Sequence, residues 1–139
     1  MAIYASDKQL YSCFRTLFNK IEEEDSAASE SLLKSKLSIR FQCSEPTAAI
    51  TIDARKKPVN IAYGSAGIKP TLDISLSADT LHEILLGEIG LSKAMGSGRM
   101  KPKGPIWKSV ALEPLLHDAQ KLYPEVLKEC NPSRDISSG

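Results

Sequence analysis

An α+β domain is the architecture that this sequence predicts, with one five-stranded, mainly antiparallel sheet and helices packed against one face. Three observations predict it. Apolar residues recur at helical spacing up to Ile21, alternate with polar residues between Leu37 and Leu76, and return to helical spacing after Ser77. The resulting order is a helix, four strands, two short helices, a strand and two helices, which gathers the helices apart from the sheet. Strict alternation leaves each strand with one apolar and one polar face, the habit of antiparallel sheets.

The first helix opens on a capping-box pattern, Ser6 with Gln9, whose hydroxyl and amide can satisfy free backbone N–H groups. Leu10, Phe14, Leu17, Phe18 and Ile21 then form its apolar face. The stretch "EEEDSAASES" at 22–31 reads as a solvated connector. Strands follow at Leu37–Cys43, Ala48–Ala54, Val59–Tyr63 and Leu72–Leu76, with turns at 44–46, 55–58 and 64–70. Ser77 can cap the next helix and Gly87 can end it. A short helix over "IGLSKAM" precedes a fifth strand in 97–103, where Pro102 suits an edge. "IWKSVALE" predicts a helix, and Pro114 opens another that carries Leu115, Leu116, Ala119, Leu122 and Tyr123, with a break or one further turn at Pro124.

The chain has 139 residues, 42% of them hydrophobic, which suits one domain over 1–130 followed by a flexible tail at 131–139. With 18 basic and 17 acidic side chains, its net charge of +1 gives no global attraction to nucleic acid. Cys13, Cys43 and Cys130 are odd in number and widely spaced, with no CxxC pair. They predict neither a zinc site nor a disulfide framework, and point to inert thiols in a reducing, cytoplasmic setting. The first ten residues lack the pattern of a secretory signal, and no stretch is long and apolar enough for a bilayer.

Groups for catalysis or metal binding are scarce. His82 and His117 lie on different predicted helices without Cys or carboxylate at ligand spacing. "YGSAG" and "MGSGR" both miss the nucleophile elbow. Gly96 and Gly98 lack the third glycine of a dinucleotide loop, and Gly104 is followed by Pro105 rather than by Lys-Ser or Lys-Thr. No catalytic residue, metal or cofactor is therefore assigned. Arg55, Lys56 and Lys57 form one basic cluster, and Arg99, Lys101, Lys103 and Lys108 another, with Trp107 the one aromatic among them. They read as solvated turn and edge charges; the second cluster is also a candidate for contact with an anionic surface or headgroup.

The positive signal is a surplus of apolar helix surface between 81 and 127, with Met95 and Met100 flanking the glycines. It can fill a core or wall an apolar cavity. The stretch "TLDISLSADTLHEILLGEIGLSKAMGSGRMKPKGP" resembles the sterol carrier protein type-2 family. The features that match are the strand Leu72 to Leu76, the cap Ser77, Leu85-Leu86-Gly87, Ala94, Gly98-Arg99-Met100-Lys101 and Gly104. "GPIWKSVALEPLLHDAQKLYPEV" is similar to the family's closing helices. Met95-Gly96-Ser97-Gly98 stands where the family often has Phe-Met-Ser-Gly, and Pro102 and Pro105 stiffen the last strand's exit, which bears on tunnel shape and ligand preference.

The resemblance implies a non-enzymatic carrier of sterols, fatty acids, fatty acyl-CoA or phospholipids in a hydrophobic tunnel, making transient contact with membrane surfaces. Joined to the apolar faces, it assigns Leu72, Ile74, Leu81, Leu85, Ile89 and Met95 to the tunnel wall. Met100, Trp107, Val110, Leu115 and Leu116 complete that assignment. Gly96 and Gly98 are expected to let backbone pass close to a helix or ligand. Because the family's fold also occurs attached to dehydrogenases, thiolases and sulfatases, a non-catalytic module working with an enzyme partner is the alternative. A small hydrolase is the remaining one.

Overall fold

The computed structural model describes residues 4, 6–24, 27–57, 59–64 and 69–130. Helices α1 (Asp7–Glu24) and α2 (Ala27–Ser35) precede strands β1 (Ser38–Ser44), β2 (Ala48–Asp53), β3 (Asn60–Tyr63) and β4 (Leu72–Ser77). Then come α3 (Ala78–Leu86), α4 (Leu91–Gly96), β5 (Met100–Lys103), a 3-10 helix (Ile106–Leu112) and α5 (Glu113–Cys130). The tail at 131–139 and most of the 64–70 turn lie outside the described residues.

The sheet runs β3-β2-β1-β4-β5. Only β1 and β4 are parallel; the other neighbours are antiparallel. Register puts Phe41 opposite both Ile50 and Ile74, Ile39 opposite Ile52 and Leu72, and Leu76 opposite Met100. Partners in register share a face, so these side chains form one continuous apolar surface, all of it buried. The opposite face is polar. There the Arg40 guanidinium donates to Asp73 at 2.6 Å and the Gln42 amide at 2.8 Å. The hydrogen bond from Arg40 is the main reason the Asp73 carboxyl is held below its ordinary range.

The caps form where the sequence places them. The Gln9 N–H donates to Ser6 Oγ at 3.2 Å, and the Thr80 N–H to Ser77 Oγ at 3.1 Å. Gly87 takes φ +79 beyond α3, letting the Glu88 N–H reach the Glu83 carbonyl at 2.9 Å. Pro102 stands in β5, an edge strand, opposite Ile74.

Four local expectations are corrected. The connector at 22–31 is largely helical, because Leu32 docks α2 into the core with 1% of its surface exposed. "IWKSVALE" winds as a 3-10 helix, so its inward ridge repeats every three residues and holds Ser109 and Leu112. Helix α5 continues through Pro124, since Tyr123 and Val126, both buried, hold its last turns against the core while Pro124 faces outward. The close approach expected at Gly96 and Gly98 occurs instead at Gly104, where a Cβ would collide with the Thr71 carbonyl. Gly98 serves by its φ of +79, with open space around it.

The cysteine expectation is corrected as well. Cys13 and Cys130 are disulfide-bonded with Cα atoms 5.6 Å apart, tying the end of α5 to the middle of α1. Their separation of 117 residues hid the pairing; α1 and α5 lie side by side, which the spacing of cysteines does not reveal. Cys43 is a buried free thiol whose pKa burial pushes up to about 12, leaving it protonated and inert.

Candidate functional site: an apolar cavity

The apolar sheet face does not meet the helices without a gap. Phe14, Leu17, Phe18 and Ile21 of α1, Phe41 of β1, Ile52 of β2, and Leu81 and Leu85 of α3 surround a cavity. Leu112 at the end of the 3-10 helix and Leu115, Leu116 and Ala119 of α5 close it. No polar side chain lines it. Its volume is about 20 Å³, room for roughly one water-sized sphere, and an apolar lining gives a water no partners.

Local sequence explains the convergence. Residues 14, 17, 18 and 21 fall on one stripe of α1 at helical spacing. Leu81 and Leu85 are one turn apart on α3, whose Ser77 cap fixes the turn out of β4. Gln120 ties α5 to α3 by donating to the Ile84 carbonyl at 3.1 Å.

Phe18 also belongs to the wall of a second space. An open groove of about 510 Å³ runs between α1 and the β3 edge, lined by Phe18 with Arg15, Asn19, Glu22, Glu23, Val59, Ile61 and Tyr63. The Arg15 guanidinium carbon stands 4.7 Å from the centroid of the Tyr63 ring. Phe18 therefore lines both the cavity and the open groove.

Of the expected wall residues, Leu81, Leu85, Leu115 and Leu116 meet at the cavity. Leu72 and Ile74 are buried on the helix-covered face of β4 but do not line it. Ile89 and Met100 are buried and Met95 half-buried, in core beyond the cavity wall. Trp107 and Val110 lie outside the cavity, 76% and 67% exposed. At three residues per turn they share the outward ridge of the 3-10 helix, where α-helical spacing would have turned them elsewhere. Sequence reading missed the α1 residues, Phe41, Ile52, Leu112 and Ala119. The α1 stripe was itself a visible signal; only its destination was not.

In the basic cluster, Arg99 is ion-paired with Glu83 across α3, while Lys101, Lys103 and Lys108 are exposed. His82 is not an ordinary surface histidine: its Nδ1 lies 2.6 Å from the Tyr123 hydroxyl, which in turn bonds the Tyr4 hydroxyl. Burial is the main cause that lowers the His82 pKa. Among the described residues no group of three His, Cys, Asp or Glu side chains could hold a metal. Nor is any described helix long and apolar enough to cross a membrane.

Solved structures share this architecture. Sterol carrier protein 2 from Yarrowia lipolytica, in its apo form, is 22% identical with a TM-score of 0.61, over 80% of this chain and 89% of that one. The sterol carrier protein domain 2 of Helicoverpa armigera is 17% identical with a TM-score of 0.59, over 81% and 89%. The Aedes aegypti sterol carrier protein-2 in complex with palmitate is 14% identical with a TM-score of 0.50, over 66% and 92%. At these identities the likeness is one of fold. No curated protein matches the chain in sequence. A family model described as the SCP-2 sterol transfer family matches residues 18–117, a span that holds every residue of the cavity wall except Phe14, Leu17 and Ala119. The chain belongs to the SCP-2 sterol transfer family.

Proposed function

We propose that the protein binds one lipid molecule between α1, α3, α5 and the apolar sheet face and transfers it, without catalysing a reaction on it. Family membership makes lipid binding and transfer the general class of function. The observation that carries the specific reading is the cavity lined by twelve apolar residues, one of which, Phe18, also lines an open groove. A lipid needs several hundred Å³, so α1 and α5 must part from the sheet to form the tunnel. Burying a palmitate-sized chain at ~0.8 kcal/mol per CH₂ supplies more than ~10 kcal/mol gross. Ordering and headgroup desolvation remove several of these, which leaves affinity at about micromolar or tighter. Fatty acid is the first ligand to test, because the Aedes aegypti relative is described with palmitate. Sterol, fatty acyl-CoA and phospholipid complete the set.

A fluorescent fatty acid should saturate at about one per chain. Phe18→Ala should accelerate entry at least severalfold by joining groove to cavity, while lowering stability by about 3 kcal/mol or more. Absence of binding of fatty acid, acyl-CoA and sterol alike at tens of micromolar would end the carrier reading.

A second reading, a non-catalytic module serving an enzyme, is favoured by the likeness to the UbiJ-SCP2 ubiquinone synthesis protein, 14% identical with a TM-score of 0.57. Recovery of one stoichiometric enzyme with the tagged protein would select it. For the carrier we propose the cytoplasm as the setting, where the pair Cys13 and Cys130 would stand reduced.

A further inference from the structure

On the carrier reading, a lipid enters only when α1 and α5 part from the sheet, and the chain's one disulfide joins those two helices. Cys13 directly precedes Phe14, the first wall residue on α1. Cys130 is the last residue of α5, the helix that brings Leu115, Leu116 and Ala119 to the cavity. The cross-link therefore lies on the elements that must move.

The other ties between these helices are reversible. Lys20 and Glu129 form an ion pair at 2.9 Å, but Glu129 is mostly exposed and water screens the attraction. Leu122, Tyr123 and Val126 hold α5 by packing, which can open and close again. A disulfide instead keeps its two Cα atoms within about 7 Å however the helices move. Access to it is one-sided. Cys13 is buried and Cys130 half-buried at the helix end, so an incoming thiolate meets the Cys130 sulfur. Cys43, the third cysteine, is a buried thiol in β1 with its pKa pushed up to about 12, and does not compete in the exchange.

We propose that the bond between Cys13 and Cys130 is a redox latch on the lipid cavity, which retains bound lipid when oxidised and releases it when reduced. The latch rests on the carrier reading. A dithiol supplies the electrons. Its thiolate attacks Cys130 Sγ, the Sγ–Sγ bond breaks, and the electron pair leaves on Cys13 Sγ, which takes up a proton. The second thiol of the reductant then attacks its own mixed disulfide and expels Cys130 as thiolate, which is protonated in turn. Two electrons and two protons pass to the protein, and the reductant leaves as a disulfide. A small-molecule disulfide runs the exchange in reverse. In the reducing setting proposed for the carrier the latch stands open, and oxidation closes it.

The test uses the full chain, oxidised or reduced with dithiothreitol, loaded with a fluorescent fatty acid and chased with excess unlabelled fatty acid. Reduction should raise the dissociation rate at least ~10-fold, because the opened ends of α1 and α5 are no longer tethered. Reoxidation should restore the slow rate. Without lipid, amide hydrogen exchange along α1 and α5 should quicken on reduction, and much less so in β1 and β4. Cys130→Ser should release lipid as the reduced parent does, with or without reductant. Leu91→Ala truncates a buried side chain on α4, away from the cavity, and lowers the melting temperature with the disulfide intact. It should release lipid as slowly as the oxidised parent.

Equal release in the two redox states overturns the inference. So does rapid release from oxidised Leu91→Ala, or global unfolding on reduction, since the bond then serves stability alone. Stoichiometric binding in both states with equal release removes the latch and leaves the carrier, whereas absence of binding in both removes the carrier reading itself.

Discussion

Leu85→Asp is expected to abolish stable folding or lower the melting temperature by tens of degrees. Leu85 is only 2% exposed and stands among Phe14, Leu81 and Leu115 at the cavity. An unpaired carboxylate there costs several kcal/mol, whether it stays charged or takes up a proton, against a typical total of roughly 5–15 kcal/mol. Leu85→Ala distinguishes wall from core. It should lower stability by about 2–5 kcal/mol, enlarge the cavity and shift preference toward longer or bulkier chains. If the Ala variant loses stability to that extent and binds the same lipids with the same affinities, Leu85 is core only.

Cys130→Ser is expected to lower stability by about 3–5 kcal/mol, because the disulfide closes a loop over 117 residues of separation and constrains the unfolded chain. The melting temperature should fall by roughly 10 °C or more, and a dithiol reductant should reproduce the fall in the parent. An unchanged melt under reductant would show that the bond contributes nothing. The same pair tests the compartment. Disulfides persist where the surroundings are oxidising, so protein drawn from cells under acid trapping should titrate three thiols in denaturant if it resides in a reducing cytoplasm. Titration of Cys43 alone would contradict that setting.

Much of the fold is written locally, and those parts were legible. The alternation of Leu37, Ile39, Phe41 and Cys43 fixes a strand and its buried face, and Ser77 and Gly87 bracket α3 by cap chemistry alone. The α1 stripe announces a buried face but not what it buries against. Convergence of Phe14 and Ile21 with Leu85 and Leu115 depends on the placement of α1 and α5, which no local pattern encodes. The Cys13–Cys130 bond was hidden for the same reason. Trp107 and Val110 stand outside the cavity because the helix that carries them winds at three residues per turn. The stretch Ile106–Leu112, with Lys108 and Ser109 among its apolar residues, does not by itself select between three and 3.6 residues per turn. Leu32 shows the converse, since an acidic preface outweighed the one leucine that docks α2 into the core.

Intermolecular nuclear Overhauser effects test the central claim most directly. With carbon-13-labelled palmitate bound at saturation to methyl-labelled protein, its methylene protons should show contacts to Ile21, Ile52, Leu81, Leu85, Leu115 and Leu116, residues that now enclose about 20 Å³. Such contacts would mean that α1 and α5 part from the sheet to admit the chain. Stoichiometric binding with contacts confined to the outer groove at Val59 and Ile61, and none to those six side chains, would contradict the account.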